Sequence, residues 1–344
     1  MYDTLVRHTI DTQAASLDVV ESLASSASEG VLAQGLGKRF GDLWALRDLD
    51  LDVAPGTVLG LLGHNGAGKT TAIRILTTLS TATTGAAWVA GIDVARDPVA
   101  VRRVIGVAAQ EATVDGLLTA RANLVMVGRL HHLSTGAARR RADELLELLD
   151  LADASTRLVK TFSGGMRRRL DLAATLVSRP RVLFLDEPTT GLDPRSRNDL
   201  WNTLQDLVRE GTTVILTTQY LEEADRLADE IVVLDHGYTV AHGTPAELKT
   251  RIGSERIDIK VASRTDMIAA GEAAEPFASK PPTYDIEELA VTVPVREGVR
   301  LMDVMRALDA AGIDAIDLNR RQSTLDDVFL TLTDRDNPSE EVIP

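Results

Sequence analysis

From residue 31 onward, short apolar runs alternate with longer stretches whose apolar residues recur at helical spacing. The run at 58–62 precedes an amphipathic stretch over 69–79, and the run at 182–185 precedes another over 195–208. A buried strand followed by a helix, repeated along the chain, predicts an α/β sheet. Further runs at 213–216 and 231–234 predict two more strands, the last ending in a turn at His236-Gly237. Between these halves, 123–160 holds no strand-like run. A helix is predicted over 142–151 with Leu145, Leu148 and Leu149 on one side, which marks a helical insertion.

The pattern changes after Gly253. Strands are predicted at 257–261 and 289–295, with helices at 266–274 and 301–311. The second helix carries Leu301, Val304, Met305 and Leu308 on one stripe, opposite Asp303, Arg306 and Asp309. Lys280-Pro281-Pro282 breaks any continuous element, so this region is a small α+β domain with interleaved strands and helices. Near the end, Ser323 or Thr324 caps an amphipathic helix with Leu325, Val328, Phe329 and Leu332 on one face. The start is rich in Ala and Ser, and Leu17, Val20 and Ala24 give only a weak stripe. The expected organisation is a flexible extension over 1–30, a first domain over 31–253 with a helical subdomain at about 111–165, a second domain over 254–335, and a tail over 336–344.

Composition narrows the function. A chain of 344 residues that is 44% hydrophobic can bury two cores. Its formal net charge of −14 argues against a broad phosphate-binding surface, so no nucleic acid partner is expected. The absence of cysteine removes disulfides, thiolate metal sites and a cysteine nucleophile. No window approaches the roughly 18 apolar residues of a membrane-spanning helix, and the N-terminus lacks the pattern of a secretory signal. The basic runs 139–141 and 167–169 read as solvated helix faces, with anionic lipid contact as the lesser alternative. His131 and His132 have no partners at metal-ligand spacing and receive no role.

The chemistry concentrates in three places. Gly63-His64-Asn65-Gly66-Ala67-Gly68-Lys69-Thr70 follows a predicted strand and opens a helix, the context in which G-x-x-x-x-G-K-[ST] cradles phosphates. The glycines let backbone N–H groups turn inward, the helix N-terminus adds its positive dipole end, and Thr71 extends the donor array. Lys69 reaches the terminal phosphates, and the Thr70 hydroxyl is a ligand for Mg²⁺. At 182–187 an apolar strand ends in Asp186 and Glu187, which opens both acids into the crevice of an α/β sheet. Asp186 is the candidate to hold Mg²⁺ through water, and Glu187 to polarise the attacking water. Thirdly, Ser163, Gly164 and Gly165 precede a helix and form a second anion-binding N-terminus. The first loop already covers one side of a nucleotide, so this second one is most useful if supplied by a partner.

With these motifs in order, the chain resembles the nucleotide-binding subunits of ABC transporters over about 31–248. Their signature motif, usually Leu-Ser-Gly-Gly-Gln, stands here as Phe162-Ser163-Gly164-Gly165-Met166. The resemblance implies a P-loop NTPase of the ABC type, with ATP and Mg²⁺ as cofactors. It also implies a head-to-tail dimer of two copies, each ATP lying between one copy's phosphate loop and Ser163, Gly164 and Gly165 of the other. Gln110 matches the glutamine loop that touches Mg²⁺ and senses the membrane subunits; Asp193, in Gly191-Leu192-Asp193, matches the D-loop at the dimer interface; Phe40 takes the place of the aromatic that stacks on adenine.

One position departs from the family pattern. Gln219 stands where most such ATPases carry His; its amide can donate to the γ-phosphate but cannot take up a proton near neutrality. Gln219, the run Ser163-Gly164-Gly165-Met166-Arg167-Arg168-Arg169 and the segment 323–330 resemble the daunorubicin/doxorubicin-resistance ATPases. That similarity implies export of hydrophobic drugs, antibiotics or lipids through ABC-2-type permease subunits on separate chains. The chain would then sit peripherally on the cytoplasmic face of the cell membrane, its C-terminal domain assisting assembly or regulating the ATPase. A soluble ABC ATPase acting as a nucleotide-gated clamp on a macromolecule is the alternative. A P-loop small-molecule kinase leaves the signature and the D-loop without a use.

Overall fold

The computed structural model describes residues 29–109, 113–252, 255–296, 298–322 and 324–325. Gln110, nearly all of the N-terminal extension, most of the terminal capped helix and the tail lie outside the described residues. The chain divides into two compact units, Met1–Val240 and Ala241–Pro344.

The first unit runs β1 (Val31–Phe40), β2 (Leu43–Val53), β3 (Val58–Leu62), α1 (Lys69–Leu76), β4 (Thr84–Val89), β5 (Ile92–Asp93), α2 (Pro98–Val104) and β6 (Ile105–Ala108). It continues through α3 (Ala120–Leu130), α4 (Thr135–Leu148), α5 (Gly164–Leu176), β7 (Val182–Asp186), α6 (Pro194–Arg209), β8 (Thr213–Thr218), α7 (Leu221–Leu227) and β9 (Glu230–Asp235). The unit boundary falls within β10 (Tyr238–Gly243).

One sheet orders its strands β2-β1-β4-β5, with neighbouring strands antiparallel. The other orders them β10-β9-β3-β8-β7-β6, and β9, β3, β8, β7 and β6 pair in parallel. Strands β3, β7, β8 and β9 are buried on both faces, and the alternation along β7 and β8 assigns their side chains to two cores. Leu183 and Leu185 of β7, with Val214 and Leu216 of β8, pack among the helices α3 to α6. Val182, Phe184 and Ile215 pack instead with α1 and the antiparallel strands. Pairing brings the carboxyl ends of β3, β8 and β7 side by side, with Leu62 opposite Thr218 and Asp186 opposite Thr217. A sheet with this crossed order binds its ligand at those ends.

The second unit comprises α8 (Pro245–Ile252), β11 (Glu255–Val261), α9 (Arg264–Ala274), β12 (Thr283–Asp285), β13 (Ala290–Pro294), α10 (Leu301–Ala310) and β14 (Ala315–Gln322). Its antiparallel sheet has the order β12-β13-β11-β14, a split β-α-β arrangement of the β-α-β-β-α-β type. Ile257, Ile259, Val291 and Val293 meet Met267, Ala270, Val304 and Leu308 in its core.

The structure corrects several expectations. The helix predicted to reach residue 79 ends at Leu76, because Thr78 takes a left-handed conformation (φ 65°) that no α-helix continues. Leu148 is 46% exposed, and Leu146 takes its place in the core beside Leu145 and Leu149. Met305 is likewise exposed, which leaves Val304 and Leu308 as the buried residues of α10. The basic run 167–169 is not a uniformly solvated face: only 11% of the Arg168 side chain is exposed.

Candidate active site

The phosphate loop is held by close backbone contacts that exclude side chains. A Cβ on Gly63 would stand 2.3 Å from the Leu234 carbonyl oxygen, and one on Gly68, where φ is 110°, 2.7 Å from that of Ala45. Only glycine fits at both positions. The loop and the start of α1 line a cleft of about 370 Å³ with Asn65, Gly66, Ala67, Gly68, Lys69, Thr70, Thr71 and Glu187 on its walls. Lys69 is buried, and its ammonium donates to the carbonyls of Gly63 (2.7 Å) and His64 (3.0 Å). Burial holds this ammonium below the ordinary lysine range, against the opposing pull of Glu187 and Asp186.

Asp186 ends β7 beneath the loop. Its Oδ1 accepts from the Thr217 hydroxyl at 2.5 Å, and the Thr70 hydroxyl lies 3.2 Å from Oδ2. Hydroxyl and carboxylate oxygens are the hard donors that a Mg²⁺ ion takes, directly or through its waters. Glu187 follows at φ 48°, a conformation that costs a non-glycine residue about 1–3 kcal/mol unless its surroundings impose it. They do so here. The Glu187 N–H donates to the carbonyl and hydroxyl oxygens of Thr217, both at 3.1 Å, and its own carbonyl accepts from Arg168 at 3.3 Å.

That arginine was missed by sequence reasoning. Its guanidinium also donates to the carbonyls of Ala109 (2.6 Å), Pro188 (2.9 Å) and Asp186 (3.2 Å), and lies 3.6 Å from Asp171. No sequence signal separates Arg168 from its neighbours Arg167 and Arg169. Thr217 was passed over too, although a polar pair at the end of an apolar strand beside the two acids was a readable sign.

Glu187 faces a second cleft of about 240 Å³, lined also by Gly164, Arg167, Arg168, Thr190, Gly191 and Leu192. Here Ser163 caps α5, its hydroxyl accepting from the Met166 N–H at 3.2 Å. Gly165 is buried against α6, where a Cβ would meet Ser196 Oγ at 2.5 Å. Ser196 in turn donates to Asp193 from its hydroxyl (2.6 Å) and its N–H (3.1 Å), making Asp193 the cap of α6. The Ser196 hydroxyl is the main cause holding the Asp193 carboxyl below the usual range. The signature segment and the D-loop are thus one packed unit.

Two predicted residues stand apart. Phe40 ends β1 with its ring 56% exposed and the Lys38 ammonium 5.1 Å from its centre, and it does not line the phosphate cleft. Gln219 is exposed just past β8 and lines neither cleft.

Comparison with known proteins agrees with this geometry. The family profile described as "ABC transporter" matches residues 46–190. The chain is 51% identical to the daunorubicin resistance ATP-binding protein DrrA3 of Streptomyces coeruleorubidus, over 92% of this chain and 99% of that one. It is 45% identical to the daunorubicin/doxorubicin resistance ATP-binding protein DrrA of Streptomyces peucetius, over 89% and 93% respectively. A solved ATP-binding subunit of an ABC transporter superposes with a TM-score of 0.58 at 26% identity, covering 64% of this chain and 92% of that one. A phosphate loop, a carboxylate pair and a signature segment, in a chain that shares about half its residues with these relatives along nearly its whole length, place it in the ABC transporter family as an ATP-binding ATPase subunit of the daunorubicin/doxorubicin-resistance group.

Proposed function

We propose that this chain hydrolyses ATP as a dimer to drive export of hydrophobic drugs, antibiotics or lipids through ABC-2-type permease subunits on other chains, docked at the cytoplasmic face of the membrane. The observation that carries the reading is Glu187, which faces both the phosphate cleft and the cleft beside Gly164. A nucleotide on the first could thereby be completed by the signature segment of a second copy. Among the described residues no helix is long and apolar enough to cross a membrane; in this reading the transport pathway lies on other chains.

In this reading Glu187 orients water for in-line attack on the γ-phosphate. Lys69 exchanges its contacts with Gly63 and His64 for phosphate oxygens, where its charge stabilises the transition state. Thr70 and Gln110, with Asp186 through water, would hold Mg²⁺, and the ion would there neutralise phosphate charge. Loop N–H groups from Gly63 to Thr71 hold the phosphates, and Phe40 offers its exposed ring to adenine. Ser163, Gly164 and Gly165 act in trans, with Asp193 at the interface. Gln219 donates a hydrogen bond to the γ-phosphate without exchanging a proton.

Glu187→Gln tests the assignment. ATP binding is retained and a stable dimer accumulates on ATP addition, seen by size-exclusion chromatography, while phosphate release falls to background. Full steady-state turnover in this variant would sink the role of Glu187.

A further inference from the structure

On the β9 side of the phosphate loop, three side chains with metal-binding atoms converge. His64 follows the first loop glycine, Asp235 ends β9, and His236 opens the turn to β10. One ligand atom from each lies within 4.8 Å of the other two, and no other triple of His, Asp or Glu does so among the described residues. His64 Nε2 stands 2.6 Å from Asp235 Oδ1, and His236 Nε2 stands 3.9 Å from the same oxygen.

The orientation of His64 is decided by its other nitrogen. Nδ1 lies 2.6 Å from the Asn65 carbonyl oxygen, which can only accept, so Nδ1 carries the hydrogen. In the neutral ring Nε2 then presents a lone pair to a carboxylate oxygen, a repulsive contact unless positive charge sits against both. Anchoring one imidazole nitrogen on a backbone carbonyl is how proteins aim the other at a metal. A proton on Nε2 would relieve the contact without any use for a third group. His236 supplies one, its ring centre 5.1 Å from that of His64. It is held there by a left-handed backbone (φ 46°), and the next residue, Gly237, donates its N–H to the Ala67 carbonyl of the loop at 3.0 Å. Asp235 is buried and His236 exposed, so the group opens to solvent on one side.

We propose that His64, Asp235 and His236 bind a divalent transition-metal ion of borderline softness such as Zn²⁺, tying the phosphate loop to the end of β9. Two imidazoles and one carboxylate with an open position suit Zn²⁺, Co²⁺ or Ni²⁺ and disfavour Mg²⁺. The site is separate from the oxygen donors Thr70 and Asp186. It touches the nucleotide machinery through His64, whose carbonyl also accepts from Lys69.

The test is titration of the EDTA-stripped, nucleotide-free full chain with Co²⁺ alone, followed by its visible absorption, with Zn²⁺ as competitor. One equivalent binds and Zn²⁺ displaces it. His236→Asn, which keeps the left-handed preference of that turn, and Asp235→Asn each weaken binding by about tenfold or more, at least the loss that follows removal of an outer partner. Asp186→Asn and the double change His131→Ala, His132→Ala leave Co²⁺ binding intact. Wild-type affinity in His236→Asn, loss of binding in Asp186→Asn, or no saturable spectrum in the wild-type chain overturns the proposal. Because no nucleotide is present, none of these outcomes bears on the ATPase assignment.

Discussion

Arg168→Lys is the sharpest probe of how Glu187, the carboxylate proposed to orient the attacking water, is held. The guanidinium spans four carbonyls, those of Ala109, Asp186, Glu187 and Pro188, and faces Asp171 at 3.6 Å. The Asp171 side chain is fully buried and takes its hydrogen bonds, both on Oδ1, from the Thr113 N–H and hydroxyl. Each hydrogen bond from a charged donor contributes about 1.5–3 kcal/mol. An ammonium is a point donor and cannot reproduce a planar fork, so Lys recovers one of the two short contacts, at 2.6 and 2.9 Å, but not both. Retaining the charge spares the larger cost, about 3–5 kcal/mol, of stranding a buried partner. The expected loss is therefore about 1.5–3 kcal/mol, the worth of one short charged hydrogen bond, with the long contacts to Asp186 and Glu187 at 3.2 and 3.3 Å adding little to it.

The consequence for catalysis is larger than for folding. With the carbonyl at Glu187 released, its left-handed backbone is imposed only by Thr217, and a displacement of about 1 Å costs about 100-fold in rate. The nucleotide contacts proposed for Lys69 and Thr70 are untouched, so the effect falls on kcat while KM for MgATP stays nearly constant. Urea unfolding and steady-state phosphate release measure the two halves. A variant with wild-type kcat and an unchanged unfolding midpoint would refute the reasoning and return Arg168 to the status of a solvated helix residue.

Two further expectations follow from packing and burial. Gly165→Ala places a Cβ 2.5 Å from Ser196 Oγ, so it destabilises the first unit by about 1–3 kcal/mol in thermal unfolding. Gly164→Ala meets open space and keeps the fold; partial recovery of the Gly165 variant by Ser196→Ala distinguishes this clash from any general intolerance of the helix start. Burial pushes the Glu223 carboxyl up, opposed by the Trp201 indole, which donates to its Oε1 at 3.2 Å, and by the neighbouring Thr218 and Thr189 hydroxyls. The folded state then binds more protons than the unfolded one, and stability falls as pH rises from the unfolded carboxylate value through the raised folded one. Glu223→Gln keeps an acceptor for the Trp201 indole and removes this slope. Its stability relative to wild type, from urea unfolding between pH 4 and 8, should rise with pH; a parallel pair of curves counts against a raised carboxyl.

Residues whose chemistry is carried by one continuous segment are legible in the amino-acid sequence. Lys69 and Thr70 sit in a loop defined by glycine spacing, and Asp186 and Glu187 are announced by the apolar strand ahead of them. What the sequence concealed is everything that depends on pairing between distant strands. Asp186 is oriented by Thr217, 31 residues away, because β7 and β8 lie in parallel register, and no local pattern states which strand neighbours which. The strands β1, β2 and β4 escaped for a related reason: their long antiparallel pairing is broken by register shifts, which blur the two-residue alternation a strand would otherwise show. The same limit hid Arg168, since its role comes from four backbone carbonyls and carbonyls carry no sequence identity. It also concealed the convergence of His64 with Asp235 and His236: His64 and Asp235 are 171 positions apart and meet only because β9 runs beside β3. Where a site is built from side chains on one segment, composition and spacing suffice; where backbone acceptors and strand order build it, only the folded chain can name its parts.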